Sequence, residues 1–261
     1  MKIWFAALLL LPTLAVAQSP FDGTWVAKLD SVQLPKKPET YLLQNGTYEC
    51  DTCVPKLDLK ADGGDHHVAG SPYFSTAAVQ VMDNNDLRIT EKKNDRVVYT
   101  ETDTVSPDGN TLTQEIMDAS APNGESVTGE EIFQRVGQGP TGASPISGSW
   151  QATSLKSLSE NGITVSYQTT SDGLKASTPG GEGYVAKFDG KEYSVTGAPA
   201  HNTVSLKRVK ANTIIETDRL DGRAHYVLRM TVLPDGKTMR VTESDLERGA
   251  RTVYTMMKKS Q

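Results

Sequence analysis

The sequence predicts an all-β fold of two tandem up-and-down antiparallel β-barrels, and three observations support this prediction. First, segment 189–238 repeats segment 62–111 at a constant offset of 127 residues, with sixteen identical positions in fifty. Second, apolar and polar residues alternate at period two, as in LDLK at 57–60. Third, tight-turn sequences separate these short segments. Two half-open meander sheets are the alternative architecture.

The turn sequences recur closely enough to connect successive strands of a meander. They are NG at 45–46, DG at 62–63, NN at 84–85, ND at 94–95 and PDG at 107–109, then DG at 172–173, 189–190 and 221–222, and PDG at 234–236. No window longer than two turns shows helical periodicity. Roughly eight to ten short strands per repeat suit a barrel, because closure removes the exposed edges of an open meander.

Composition excludes some classes of partner. The chain has 261 residues, 37% of them hydrophobic, and a net charge of -5, with a mean hydropathy of -0.42. The charge provides no basic surface for nucleic acid, and no long block of like charge suggests an interaction tail. We therefore expect no nucleic-acid partner, and the sequence does not indicate a protein partner.

The N-terminus predicts export. Residues 1–17 combine Lys2, an apolar run at 3–11 and a small-x-small site, Ala15-Val16-Ala17, which is typical of a secretory signal peptide cleaved before Gln18. An uncleaved anchor is the alternative, but the run is shorter than the ~20 residues of a membrane-spanning helix. We expect a secreted or periplasmic protein without a transmembrane segment.

The repeat defines the expected domains. The first barrel is expected at 18–136 and the second at 146–261, joined by a Gly/Pro-rich linker at 137–145 (GQGPTGASP). Each repeat has its own opening strand and a complete meander, so each is expected to be an autonomous domain. The six extra residues of the first repeat, PNGESV at 122–127, are placed in a hairpin loop.

Both repeats open with the same short motif, FDGTW at 21–25 and ISGSW at 146–150. An apolar residue followed by Gly-x-Trp resembles the first strand of the lipocalin and wider calycin families. The resemblance implies β-barrels that Trp25 and Trp150 close at one end, and an arginine near the end of the last strand that covers the tryptophan. Arg135 is at that place in the first repeat.

In the second repeat the aligned position is Met256, which leaves Arg248 or Arg251 as candidate covers. The stretch DGKEYSVTGAP at 189–199 also resembles a group of uncharacterised secreted bacterial proteins with one or two such repeats. That resemblance implies a fold and a location, and it implies no activity.

Two cysteines, Cys50 and Cys53, are separated by two residues. In an oxidising compartment such close thiols are expected to form a local disulfide that fixes a turn. Zinc bound by Cys50, Cys53 and His66 is the main alternative, because the spacing resembles that of a zinc finger. A redox role is less favoured, since no βαβ pattern surrounds the pair.

One strand supplies the candidate ligand-lining residues. Segment 97–105 aligns with 224–232, and period two places alternate side chains on the inner face, beginning at Val97 and Ala224. The first repeat then turns Glu101 and Asp103 inward where the second has an apolar interior; the candidates are Tyr99, Glu101, Asp103, Tyr226, Leu228 and Met230. A β-bulge near Thr100 is the alternative, and it would send the carboxylates to solvent.

The sequence contains no catalytic motif: Gly-x-Ser-x-Gly, a Walker loop and His-Glu-x-x-His are all absent from it. We therefore do not expect an enzyme or a cofactor. A barrel interior suits one small apolar ligand, so a binding protein is the favoured hypothesis. The alternative is a structural or interaction protein of the cell envelope, with side chains filling both barrels.

Overall fold

The structure, a computed structural model, describes residues 19–260 except Pro199, so the predicted signal peptide lies outside the described residues. The described chain is all-β, with one short 3-10 turn at Glu160–Gly162. The first ten strands are β1 (Gly23–Gln33), β2 (Glu39–Gln44), β3 (Thr47–Cys50), β4 (Leu57–Lys60), β5 (His66–His67), β6 (Thr76–Val81), β7 (Asp86–Lys93), β8 (Arg96–Val105), β9 (Thr111–Asp118) and β10 (Val127–Gln138).

The second half repeats this order. Its strands are β11 (Gly148–Leu158), β12 (Thr164–Thr169), β13 (Gly173–Ser177), β14 (Gly183–Lys187), β15 (Tyr193–Ser194), β16 (Asn202–Lys210), β17 (Thr213–Leu220), β18 (Arg223–Val232), β19 (Thr238–Asp245) and β20 (Ala250–Lys258). Type I′-like turns join several of them, as at Asn45 and Gly46, where both φ angles are positive. The all-β prediction is confirmed.

The strands form two ten-stranded antiparallel sheets. Barrel 1 has the order β4-β3-β2-β11-β10-β9-β8-β7-β6-β5, and barrel 2 has the order β14-β13-β12-β1-β20-β19-β18-β17-β16-β15. Single bridges connect the two ends of each sheet: Asp62, just after β4, with Gln80 of β6 in barrel 1, and Gly183 of β14 with Thr196, just after β15, in barrel 2. The two predicted barrels are thus present, each nearly closed.

The opening strands of the two repeats are exchanged. β1 belongs to the first repeat but lies in barrel 2, between β12 and β20. β11 belongs to the second repeat but lies in barrel 1, between β10 and β2. Barrel 1 is therefore the continuous stretch from β2 to β11, whereas barrel 2 combines β12–β20 with the N-terminal strand.

This exchange corrects the expectation that each repeat closes its own barrel with its own first strand. The connection from β1 to β2 is LPKKP at 34–38. Leu34 and Lys37 precede prolines and are held in extended conformations, which suits a chain that crosses from one barrel to the other. The equivalent connection at 159–163, between β11 and β12, makes the same crossing without a proline.

The predicted linker is an ordered turn. Gly137 and Gln138 belong to β10, and Gln138 pairs with Gly148 at the start of β11. Between them the amide of Ser144 donates to the carbonyl of Leu43, which fixes the turn to barrel 1. Positions 137–145 thus form part of a β10–β11 hairpin inside barrel 1.

Each tryptophan lies at the base of the barrel that receives its strand. Trp25 is fully buried in the core of barrel 2 and Trp150 in the core of barrel 1. The indole Nε1 of Trp25 donates to the carbonyl of Phe21, and that of Trp150 to the carbonyl of Ile146, both at 2.8 Å. Each motif therefore satisfies its own buried indole N–H before the strand begins.

The residues that cover the tryptophans differ from the expectation. Arg135 lies over Trp150, with 3.9 Å from its guanidinium carbon to the ring centroid, because β11 is the neighbour of β10. Lys258 lies over Trp25 at 4.9 Å. Both contacts are cation–π interactions.

Arg248 and Arg251 do not take this role. Arg248 lies in the β19–β20 turn and Arg251 at the start of β20, the end of that strand away from Lys258.

The glycine of the second motif permits a close approach of two strands. Gly148 has φ of 135°, and a Cβ there would lie 2.4 Å from the carbonyl oxygen of Gly137. Any side chain would displace β10 from β11.

No helix in the described part of the chain has the length and apolar character needed to cross a membrane.

Cleavage in the exposed turn at 140–142 tests the strand exchange. We expect the two fragments to stay together as one particle in size-exclusion chromatography, because each keeps a strand inserted in the other's barrel. Guanidinium should separate them, which serves as the control for complete cleavage. Separation of the fragments in native buffer would show that each repeat closes its own barrel.

Candidate functional site

Each barrel extends a connecting loop to the other barrel. Arg248, in the β19–β20 turn of barrel 2, lines the cavity of barrel 1. Its carbonyl accepts a hydrogen bond from Lys37 Nζ at 2.7 Å. In the opposite direction, Asn123 of the β9–β10 loop donates to the carbonyl of Pro179 in barrel 2 at 2.8 Å. The extra residues at 122–127 thus lie at the loop that covers barrel 2.

Barrel 1 contains a cavity of about 440 Å³. Its apolar wall comes from the strands and the disulfide loop, and its polar groups are carboxyl and phenol side chains. The lining includes Leu57, Phe74, Ile89, Val98, Glu91, Tyr99, Glu101, Tyr73, Tyr226 and Arg248. Tyr226 and Arg248 come from barrel 2, so the cavity is complete only when both barrels are present.

The register of β8 determines which carboxylates enter barrel 1. The β7–β8 ladder shifts between the pairs Glu91–Tyr99 and Lys92–Val97, which leaves Val98 as the extra residue of a β-bulge. Val98 therefore packs in the core, where Val97 was expected.

After the bulge the inner face continues through Glu101 to Asp103, which is 0% exposed. The bulge exists, but it lies before Thr100 and leaves both carboxylates inside the barrel.

A hydrogen-bond chain connects the polar groups. The Tyr99 hydroxyl donates to Glu101 Oε2 at 2.8 Å. Gln114 Nε2 donates to Glu101 Oε1 at 3.4 Å and to the Tyr41 hydroxyl at 3.2 Å. The Tyr41 hydroxyl in turn donates to Glu39. Glu101 therefore lies at the centre of a network that spans β2, β8 and β9.

Asp103 lies outside this network, two residues after Glu101 on the same face of β8. Neither of its carboxylate oxygens has a partner at hydrogen-bond distance, and the buried hydroxyl of Tyr48 has none either. The nearby amide of Gln114 acts to lower the pKa of Asp103, and burial outweighs it. A buried carboxylate without a partner is costly, so it takes up a proton or attracts a cation. Both groups are available for a polar partner.

The electrostatics of barrel 1 favour protonated carboxyls when no cation is present. Burial, the largest cause, raises the pKa of Glu91 to about 8 and that of Glu131 to about 7. Burial likewise raises the pKa values of Glu101 and Asp103. The positive charge of Arg248 acts in the opposite direction on the pKa of Glu101, and burial outweighs it.

Barrel 2 has an apolar cavity of about 460 Å³. Leu228 and Met230 line it from β18, as the aligned strand predicts. The other walls come from barrel 2 and from both exchanged strands, and include Ala27, Leu29, Val32, Leu155, Leu158, Ile163, Val165, Val241 and Met256. Glu243, Thr252 and Tyr254 supply its polar groups.

An acidic pair corrects the expectation that the interior of barrel 2 is apolar throughout. Glu216 and Asp218 of β17 line a neighbouring cavity of about 390 Å³. The hydroxyl of Tyr184 donates to Glu216. Burial is the largest cause that raises the pKa values of both carboxyls, and their mutual repulsion also raises that of Glu216. The apolar face of β18 therefore lies beside an acidic face of β17.

The predicted disulfide between Cys50 and Cys53 is present. Cys50 is buried in the core of barrel 1, and Cys53 lines the cavity. His66 is engaged elsewhere, because its Nε2 lies 2.8 Å from Asp62 Oδ1. The alternative zinc site is thus wrong, and among the residues that the structure describes no group of three or more potential ligands is placed to hold a metal ion.

Comparison with protein-family models and with curated proteins found no match to this chain.

The sequence contains a signal for one further group of site residues, the acidic pair of barrel 2. Ile214 is a core residue, so period two from it leads to Glu216 and Asp218 on the same face. Arg248 had no comparable signal, since its place over barrel 1 depends on how the two barrels meet.

The raised pKa values predict how stability changes with pH. A carboxyl with a raised pKa keeps its proton in the folded state where the unfolded chain has released it, so its contribution is complete below its ordinary pKa. The melting temperature should therefore fall as pH rises from about 4.5 to about 8. Glu101→Gln should raise the melting temperature at pH 8 and flatten this dependence.

Glu115→Gln is the matched control, because Glu115 is exposed on the neighbouring strand β9. Differential scanning calorimetry at pH 5 and pH 8 measures both variants. A pH dependence that is the same in Glu101→Gln as in the wild type would mean that the Glu101 carboxyl is solvated.

Proposed function

We propose that this protein is a secreted or periplasmic binding protein that holds a small apolar ligand in barrel 2. The observation that carries the proposal is the cavity of about 460 Å³ around Leu228 and Met230. Its volume falls within the range of about 300–1,000 Å³ found for small-molecule sites, and such sites are mostly apolar with a few polar groups. Glu243 and Tyr254 are placed to orient a polar end of the ligand.

The cavity of barrel 2 is lined by residues from both exchanged strands, which also supports binding. Ala27 and Leu29 come from β1, and Leu155 and Leu158 from β11, so both exchanged strands contribute to one cavity. A ligand that removes this apolar surface from water gains about 25 cal/mol for each Å². A protein that served only as a structural element of the envelope would fill this space with its own side chains.

The disulfide supports the proposed location. Disulfides form and persist outside the cytoplasm, and Cys50–Cys53 is formed in this protein. The signal peptide expected at 1–17 would take the chain to such a compartment. The ligand would then come from outside the cytoplasm.

Filling the cavity tests the site. We expect Leu228→Trp to weaken binding of N-phenyl-1-naphthylamine, a neutral apolar dye, by about tenfold or more, which corresponds to about 1.4 kcal/mol. Leu233→Trp is the matched control, because Leu233 is an exposed leucine just after the same strand. Dye fluorescence titration measures both, and far-ultraviolet circular dichroism verifies folding.

The dye titration of the two variants and the wild type has two other informative outcomes. Equal dye affinity in Leu228→Trp and Leu233→Trp would place the dye outside barrel 2 and contradict the proposed site. Failure of the wild-type protein to bind the dye or any fatty acid of moderate length would favour the envelope hypothesis.

A further inference from the structure

We propose that barrel 1 contains a second binding site of different chemistry, specific for a small organic cation: a protonated primary amine on an apolar body. The ammonium group would lie against Glu101, which lines the cavity of about 440 Å³, and the apolar body would occupy the rest of that cavity. Asp103 lies two residues further along the same face of β8, buried behind the cavity wall. This site shares no lining residue with the apolar cavity of barrel 2, so either proposal can fail alone.

Barrel 1 contains more acidic side chains than basic ones, and they would become negatively charged on releasing their protons to a bound cation. Carboxyl side chains enter barrel 1 from four strands: Glu39 from β2, Glu91 from β7, Glu101 and Asp103 from β8, and Glu131 from β10. Arg248 supplies a positive charge at the mouth, and it acts on Glu101 and Glu131. One guanidinium cannot neutralise this set, so a bound cation would relieve their mutual repulsion.

The second, independent argument is the unpartnered state of Asp103. Its side chain is completely buried, it points inward on β8, and neither oxygen accepts a hydrogen bond. A folded protein rarely leaves a buried polar group without a partner, so such a group calls for an explanation. An ammonium group has three N–H donors for the carboxylate of Glu101, and its positive charge would lie close enough to Asp103 to favour the ionised form of that buried carboxyl.

The surroundings favour an amine over a metal ion. Metal ions such as Ca²⁺ take six to eight oxygen ligands that converge at about 2.3–2.6 Å. In the described chain no group of three or more acidic, histidine or cysteine side chains is so disposed. Leu57, Phe74, Ile89 and Val98 instead offer apolar contact beside the carboxylates. A ligand with one charged end and one apolar end fits both features.

Isothermal titration calorimetry at pH 7.5 tests the proposal on the mature full-length protein. The probes are tryptamine and hexylamine, each beside the alcohol of the same skeleton, so that the members of a pair differ only in the charged group. We expect at least one amine to bind about tenfold or more tightly than its alcohol. Binding should release protons, which titrations in two buffers of different ionisation enthalpy measure.

Two variants locate the ammonium group. Glu101→Gln and Asp103→Asn should each weaken amine binding by about tenfold and leave alcohol binding unchanged. Glu115→Gln, on the outer face of β9, should leave amine binding unchanged. A cooperative thermal transition verifies that each variant is folded, and if one fails to fold, the wild-type comparison of amine with alcohol still decides.

Three results would overturn the proposal. The first is equal affinity of amine and alcohol in both pairs. The second is unchanged amine affinity in both folded variants, Glu101→Gln and Asp103→Asn. The third is competition by micromolar calcium chloride, which would assign the carboxylates to a metal ion.

Discussion

The architecture depends on the exchange of two opening strands, each anchored by a buried tryptophan. Trp25 belongs to the core of barrel 2 and Trp150 to that of barrel 1, although each is encoded in the other repeat. Each exchanged strand pairs with a neighbouring strand on both of its sides, so neither barrel can close without a segment from the other half of the chain. The exchange therefore makes two repeats into one folding unit.

The same constraint positions the cavities. The β19–β20 turn brings Arg248 to the cavity of barrel 1, and the β9–β10 loop reaches Pro179 of barrel 2. Tyr226 is shared between the two openings. A change at one cavity can thus reach the other through side chains that line both, whereas tethered independent domains would lack such a path.

The two interiors show how a duplicated fold acquires different chemistry. Glu101 and Asp103 stand where barrel 2 has Leu228 and Met230, while the acidic pair of barrel 2, Glu216 and Asp218, lies on the preceding strand. Because the acidic pair of barrel 2 lies on β17, the neighbouring strand β18 can form an apolar wall. In barrel 1 the two acidic residues of β8 lie in the same interior as the acidic residues of β2, β7 and β10.

Local patterns in the sequence predict much of this structure. Period two identifies the strands and places Glu101 and Asp103 inside, and the short spacing of Cys50 and Cys53 predicts their disulfide. These features depend on neighbours within a few residues, which a sequence displays directly.

The strand exchange could not be predicted in this way. The two Gly-x-Trp strands are near-equivalent, so the local sequence does not show which barrel each strand joins. The roles of Lys258 and Arg248 follow from the exchange and from the contacts between the barrels. Residues far apart in the chain decide these contacts, and no periodicity records them.

Both proposals require that the barrels hold small molecules, which native mass spectrometry can detect in a single experiment. The protein would be purified under mild conditions from its native compartment. We expect a reproducible excess mass over the mature polypeptide, which denaturation releases as a compound of small-molecule size. A clean polypeptide mass in repeated native preparations, together with no uptake of apolar or cationic compounds added afterwards, would contradict it.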